Sequence, residues 1–199
     1  MKHVILTLSL LAIFQNEPAF TEQSEVNSEW VAEHLDTIPD FPIPGIQFKS
    51  ISPLLKNPEA FHKVIQTLSD RYRNSDVDAI AGLDSRGFIF GAALAYELNL
   101  PFIMVRKPGK LPGDVISKSY SLEYGKNAFE IERSSVKPGQ KILVIDDLLA
   151  TGGTASAACS LIEELGGVIY EFTSIIELKG LGGRERIGRP THALLSISP

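Results

Sequence analysis

KILVIDDLLATGGTASAACSLIEELGG, residues 141–167, holds in one run a strand, a charged corner, a turn and a helix. The apolar KILVI reads as a buried strand that ends in two adjacent carboxylates, Asp146 and Asp147. A small, hydroxyl-bearing turn follows, Ala150-Thr151-Gly152-Gly153-Thr154, and leads into the helix TASAACSLIEEL, which stops at Gly166 and Gly167. Neighbouring like charges repel and paired glycines cost backbone entropy, so this order of residues works against the stability of the chain. A ligand accounts for it. In open parallel sheets, ligands sit beyond the carboxyl ends of the strands, where loops run into helix N-termini. Small residues there let backbone N–H groups wrap an anion, and the positive end of the helix adds about 0.3–1 kcal/mol. The turn lacks the closing Gly-Lys-Ser/Thr of a Walker A loop. Asp146 and Asp147 would repel a phosphate, yet they suit the hydroxyls of a sugar, or Mg²⁺ held through water. A sugar phosphate satisfies both halves of the stretch.

Working outward, the same unit recurs upstream. DAIAGL reads as a short strand, DSRG as a turn, FIFGAALAYELN as a helix and PFIMVR as a second strand. Strand, helix, strand within about thirty residues makes a right-handed parallel crossover. With VIYEFTSIIEL after the second helix, two such units predict an α/β fold: one mostly parallel, twisted sheet with helices on both faces. NPEAFHKVIQTLSDRYR (57–73) predicts a further helix, with asparagine as N-cap, proline in the first turn and apolar residues on one face. WVAEHLDTIPDFPIPGIQF, from Trp30, reads as a short helix broken at Pro39 and then a proline-punctuated stretch that cannot be helical. Residues 107–140 form a polar, glycine-punctuated excursion, expected to be a hairpin flap or a mobile lid. KGLGGRERIG (179–188) has Glu185 where a dinucleotide loop needs its third glycine, and it reads as a surface turn.

The chain of 199 residues suits one domain over 26–199, with residues 1–25 as an extension. The run Val4–Phe14 is too short to span a bilayer, and it reads either as an export signal or as a segment outside the working domain. A net charge of −5 excludes a general attraction to nucleic acid or to an anionic membrane. Cys159 is the only cysteine, so no internal disulfide can form; on an apolar helical face it is expected to be a packed thiol. The four histidines are scattered without metal-ligand spacing, and no Gly-x-Ser-x-Gly elbow occurs.

VIDDLLATGGT resembles the phosphoribosyl pyrophosphate signature of the type I phosphoribosyltransferases. PDFPIPGIQF (39–48), AGLDSRGFIFG (81–91), RKPGKLPG (106–113) and SYSLEYGK (119–126) extend the likeness, in order, to the adenine-specific members of that family. The resemblance covers the chain from about Trp30 to its end. It implies transfer of phosphoribose from 5-phospho-α-D-ribose 1-diphosphate to N9 of adenine, giving AMP and pyrophosphate with Mg²⁺ as cofactor. It also implies a homodimer, residence in the cytoplasm, a hood over about residues 30–50 and a flap over about 107–127.

By the same resemblance, Ala150, Thr151, Gly152, Gly153 and Thr154 would hold the 5′-phosphate, and Asp146 and Asp147 the ribose hydroxyls. Asp84, Ser85, Arg86 and Gly87 correspond to the pyrophosphate loop; Arg106, Lys107 and Lys110 would add positive charge at the base of the flap. Arg86 and Lys110 would support catalysis beside Glu123, which would hydrogen-bond at adenine N7 or assist its proton transfer, while Tyr124 shapes the closed flap. Ile46, Gln47 and Phe48 would cover the base, with Leu148 opposite, Gln47 acting through its main chain and Phe48 through its ring. No direct protein ligand to a metal is implied; Mg²⁺ would come with substrate and water, near Asp146 and Asp147. The chain departs from the family at Ser50, where an aspartate is usual, and in its N-terminal extension. A transferase for another base and a non-catalytic binder of the diphosphate donor are the alternative readings. The hood sequence and Glu123 favour adenine over another base, while Glu123, the whole flap and the lack of a basic helix-turn-helix domain argue against the non-catalytic binder.

Overall fold

The computed structural model describes residues 28–122 and 125–199; the extension over 1–25 lies outside them, as do Glu123 and Tyr124. A 3-10 helix, Glu29–His34, leads into an antiparallel hairpin of β1 (Asp36–Pro39) and β2 (Gln47–Ser50). Then come α1 (Ser52–Lys56), α2 (Pro58–Tyr72), β3 (Ala79–Leu83), α3 (Gly87–Leu98) and β4 (Phe102–Val105). A second hairpin, β5 (Val115–Leu122) with β6 (Gly125–Glu132), precedes β7 (Lys141–Leu149), α4 (Gly153–Glu164), β8 (Val168–Leu178), α5 (Gly183–Ile187) and β9 (Thr191–Ile197).

The main sheet has five strands in the order β4-β3-β7-β8-β9, every pair parallel. The chain leaves β3 toward β4 on one side and leaves β7 toward β8 on the other. Right-handed crossovers in opposite directions put α3 and α4 on opposite faces and open a crevice where β3 and β7 end side by side. Burial follows this plan. Ile142, Leu143, Val144 and Ile145 are wholly buried, as expected of a central strand covered on both faces. On one side Val64, Leu68, Phe90 and Leu94 pack with Leu143 and Ile145; on the other Ala158, Cys159 and Ile162 pack with Ile142 and Val144. The Cys159 thiol is fully buried, and burial pushes its pKa up to about 12.

α2 starts as its sequence predicts, with Asn57 Oδ1 accepting the Ala60 N–H at 3.0 Å. A buried polar cluster pins it to β8. The Glu171 carboxylate, 4% exposed, accepts from Arg71 Nε and Nη2 at 3.1 and 2.9 Å and from the Tyr72 hydroxyl at 2.6 Å. Beside it, Thr173 Oγ1 lies 3.1 Å from His192 Nδ1.

Three expectations change. The proline-rich stretch forms the β1–β2 hairpin, because Ile38 and Pro39 pair with Phe48 and Gln47, and a short edge ribbon tolerates Pro39. The excursion over 107–140 is a hairpin, but its base is not a lid: Ile116, Phe129 and Ile131 are buried in the α4 side of the core. The supposed surface turn at 179–188 contains α5, whose Gly183 and Ile187 are buried. Among the described residues no helix is long and apolar enough to cross a membrane.

Candidate active site

The carboxyl end of β7 places Asp146 and Asp147 in the crevice beside the first turn of α3. Asp146 Oδ1 accepts the backbone N–H of Asp147 at 2.9 Å, and the Asp146 side chain lies against Gly87. Burial and the neighbouring Asp147 charge push the Asp146 carboxyl well above the usual carboxylate range. Burial also raises Asp147, against the pull of the Arg86 guanidinium. Asp147 is 2% exposed, with Arg86 Nε 2.8 Å from its Oδ2. No hydrogen bond of acceptable geometry reaches that oxygen, so the contact is a charge pairing rather than a directed bond. Asp146 is thus half-buried against Gly87, whereas Asp147 is capped by Arg86. For Asp147 to meet a sugar hydroxyl, as its sequence suggests, Arg86 has to leave it.

Arg86 makes a second contact. Its guanidinium carbon stands 5.2 Å from the centre of the Phe48 ring, and Phe48 meets Phe41 edge to face at 5.1 Å. One side chain thus links the hairpin of the expected hood to the end of β7. Ile46 is 39% exposed and Gln47 is exposed, leaving their backbone and the Phe48 ring at the mouth of the crevice. Leu148 is half-buried against the α2–α3 side of the core. Ser50 serves the backbone next to it, its hydroxyl accepting the Ser52 N–H at 3.3 Å at the start of α1.

Asp84 and Ser85, joined by a cis peptide bond, connect β3 to Arg86. Arg106, at the end of β4, donates from Nε to Asp84 Oδ2 at 3.2 Å and from Nη1 to the Lys110 carbonyl at 3.3 Å. The Lys107 N–H points at the same Asp84 oxygen, 3.5 Å away, and the Lys107 and Lys110 side chains are exposed. The structure thus gathers Asp84, Arg86, Arg106 and Lys107 at one end of the sheet, and two of these cations already carry protein carboxylates.

The turn over 150–154 closes the crevice at the start of α4. Gly152, the N-cap, has φ 73°, and a Cβ there would stand 2.4 Å from the Gly183 carbonyl. Only glycine avoids both the strain and the collision. Gly183 in turn abuts the Ala150 carbonyl, so α5 backs directly onto the turn. Sequence reasoning missed this neighbour. The glycine pair in GLGGRER was its one visible signal, and without the third dimension it reads as a loop. No group of three or more His, Cys, Asp or Glu side chains comes together among the described residues. Asp146 and Asp147 stand as a pair at the end of β7, and their charges crowd each other.

Comparison with known proteins fits this geometry. A family model described as phosphoribosyl transferase domain matches residues 50–179. The adenine phosphoribosyltransferase of Chloroflexus aurantiacus is 53% identical over 168 residues, covering 84% of this chain and 97% of that protein. This chain belongs to the adenine phosphoribosyltransferase family. The adenine phosphoribosyltransferase structure from Thermoanaerobacter pseudethanolicus matches with a TM-score of 0.83 at 43% identity, covering 85% of this chain and 99% of that one. The Saccharomyces cerevisiae adenine phosphoribosyltransferase, solved with adenine and D-2,5-dideoxy-2,5-imino-altritol 1,6-bisphosphate, matches with a TM-score of 0.80 at 38% identity, covering 84% and 98%. Both likenesses extend over nearly the whole of an adenine phosphoribosyltransferase chain.

Proposed function

We propose that this protein transfers phosphoribose from 5-phospho-α-D-ribose 1-diphosphate to adenine, forming AMP and pyrophosphate, a purine-salvage reaction. The observation that carries the reading is the convergence at the β3–β7 crevice of an acid pair, a glycine turn on a helix N-terminus and an arginine-bearing loop. These features match a ribose, a monophosphate and a diphosphate in turn.

In the reaction the bond from C1′ to the diphosphate oxygen breaks, and pyrophosphate leaves with the electron pair. A bond from adenine N9 to C1′ forms, and the base gives up one proton. Positive charge develops on the ribose and negative charge on the leaving group, so cations around the diphosphate lower the barrier. The planar fork of Arg86 suits it to that role, with Arg106, Lys107 and Lys110 adding charge from the flap side. Backbone N–H groups of residues 151–154 would hold the 5′-phosphate, Asp146 a ribose hydroxyl, and Asp147 a second one once Arg86 turns to the diphosphate. The Phe48 ring and the backbone of Ile46 and Gln47 would enclose adenine with Leu148. Glu123 would take the proton from the base, and Tyr124 would shape the closed flap.

Mg²⁺ fits this donor set. It keeps several waters and binds few carboxylates together with substrate oxygens, which suits two crowded acids better than a protein cage. Asp146 and Asp147 would hold it through water, and it would neutralise charge on the diphosphate. The apolar side chains Ile89, Tyr96 and Met104 on α3 and edge strand β4, 39, 88 and 44% exposed, support a homodimer through that face. Residence in the cytoplasm accords with the supply of donor there.

The decisive assay is pyrophosphate release dependent on adenine, with guanine, hypoxanthine and xanthine as competitors. Adenine alone is expected to support turnover. Glu123→Gln should lose about 10²–10⁴-fold in kcat while still binding the donor. An unchanged kcat in that variant refutes the role given to Glu123.

A further inference from the structure

The turn from Arg106 to Lys110, which follows β4, is tied on two sides. Toward the sheet, Asp84 Oδ2 accepts from Arg106 Nε at 3.2 Å and faces the Lys107 N–H at 3.5 Å. Toward the flap hairpin, Arg106 and Glu130 of β6 exchange both backbone bonds, the Arg106 N–H to the Glu130 carbonyl at 2.9 Å and the Glu130 N–H to the Arg106 carbonyl at 2.7 Å. The Glu130 side chain adds a bond that backbone pairing does not require: its Oε2 accepts the Gly109 N–H at 2.9 Å. Alternation along β6 explains the reach. Phe129 and Ile131 are buried on the core side, so Glu130 between them is turned to the other face, where the turn lies. Gly109 has φ 74°, and Pro108 before it has no N–H, so of that pair only the glycine amide can be held. Lys107 and Lys110 flank the held pair with exposed side chains.

Resting on the reading of Arg106, Lys107 and Lys110 as cations for the diphosphate, we propose that Glu130 is a positioning residue for pyrophosphate binding, fixing the turn through Gly109 so that the flanking lysines are presented to the leaving group. Glu130 touches no substrate and acts through the lysines. A carboxylate near a diphosphate site repels the ligand, and its hold on the turn offsets that cost. A turn fixed beforehand loses less freedom when the ligand arrives. β6 follows Glu123 in the chain, so the same clamp joins the cation-bearing turn to the flap hairpin.

The test uses the full-length chain with inorganic pyrophosphate and ribose 5-phosphate as separate calorimetric probes in the presence of Mg²⁺. Glu130→Thr keeps a strand-forming residue but is too short to reach Gly109, whereas Glu130→Gln keeps an acceptor without the charge. Glu130→Thr is expected to weaken pyrophosphate binding about 3–10-fold, the scale of one hydrogen bond, and to leave ribose 5-phosphate binding unchanged; Glu130→Gln should regain most of the loss. In steady state, KM for the donor should rise while KM for adenine stays. In a Lys107→Ala/Lys110→Ala background the same Glu130→Thr change should cost less than about twofold, because residues that act through one another are not additive. Thermal unfolding of each variant separates fold from site, and Glu130→Ser, equally short, gives a second reading of the same loss should Glu130→Thr fail to fold. Native pyrophosphate affinity in a stably folded Glu130→Thr or Glu130→Ser overturns the proposal. An equal loss for both probes, no recovery by glutamine, or an undiminished loss in the double-lysine background also overturns it. Wild-type pyrophosphate binding that ignores removal of both lysines takes down the underlying reading of the turn and this proposal together, whereas sensitivity to the lysines with an indifferent Glu130→Thr removes this proposal alone.

Discussion

Arg86 shows how one residue can tie together parts of a site that sequence treats separately. Its charge lies 2.8 Å from Asp147 and its guanidinium faces Phe48, so removing it exposes the acid to the full effect of burial. Asp147 is already raised by desolvation, and Arg86 is what draws it back. In Arg86→Ala the Asp147 carboxyl should therefore titrate at a higher pH than in wild type, as followed by carboxyl-carbon NMR. A lower midpoint would contradict the pairing. The motif residues themselves were legible: acids before a glycine turn point to a sugar phosphate because each residue type has a narrow chemical use. Their partners were not. Whether a strand-end acid faces solvent or lies under an arginine from another loop depends on side-chain packing that no spacing rule encodes.

At the scale of elements, α2 was the most readable, since its N-cap asparagine, first-turn proline and apolar face all agree. Its attachment to β8 was hidden, because Arg71 and Glu171 are far apart in the chain and each alone reads as a solvated charge. Breaking this pair should be costly. Arg71→Ala leaves the Glu171 carboxylate, 4% exposed, with the Tyr72 hydroxyl as its remaining side-chain donor, and about 3 kcal/mol of stability should be lost. That figure sits at the low end for a buried pair because the Arg71 side chain is itself 24% exposed. Urea unfolding measures it, and a loss under about 0.5 kcal/mol would mean that the cluster contributes only local order. The elements misread from sequence were the shortest. α5 is five residues long and begins at a glycine, so neither periodicity nor propensity could reveal it. β1 ends in Pro39, which normally argues against a strand and is tolerated here in a two-stranded ribbon.

For the whole molecule, two strand–helix–strand units were enough to predict the parallel sheet, because handedness leaves few ways to connect them. The strand order was not readable, and with it the crevice between β3 and β7 that joins the two motif-bearing loops. Acid sensitivity is another property of the assembled sheet. His192, on edge strand β9, is held down to about 4 chiefly by burial, with Arg71 and Arg184 adding to the effect and Glu171 opposing it. Its folded value lies below the ordinary 6.5, so the native state favours the neutral ring. That stabilisation is intact above pH 6.5, fades as the pH falls toward 4 and is lost below it, a total of about 3 kcal/mol. His192→Gln should flatten this slope, and chemical denaturation at pH 7 and pH 4.5 would measure the difference; an unchanged slope would remove His192 as its source.

α5 also ties the tail of the polypeptide to the turn before α4. Arg184 leans on the Thr191 carbonyl, in the last strand, while Gly183 props the bend that precedes α4. Trimming or tagging that disturbs the final strand should thus reach the 150–154 turn, proposed to hold the 5′-phosphate, which makes the carboxyl terminus a poor place to attach a fusion.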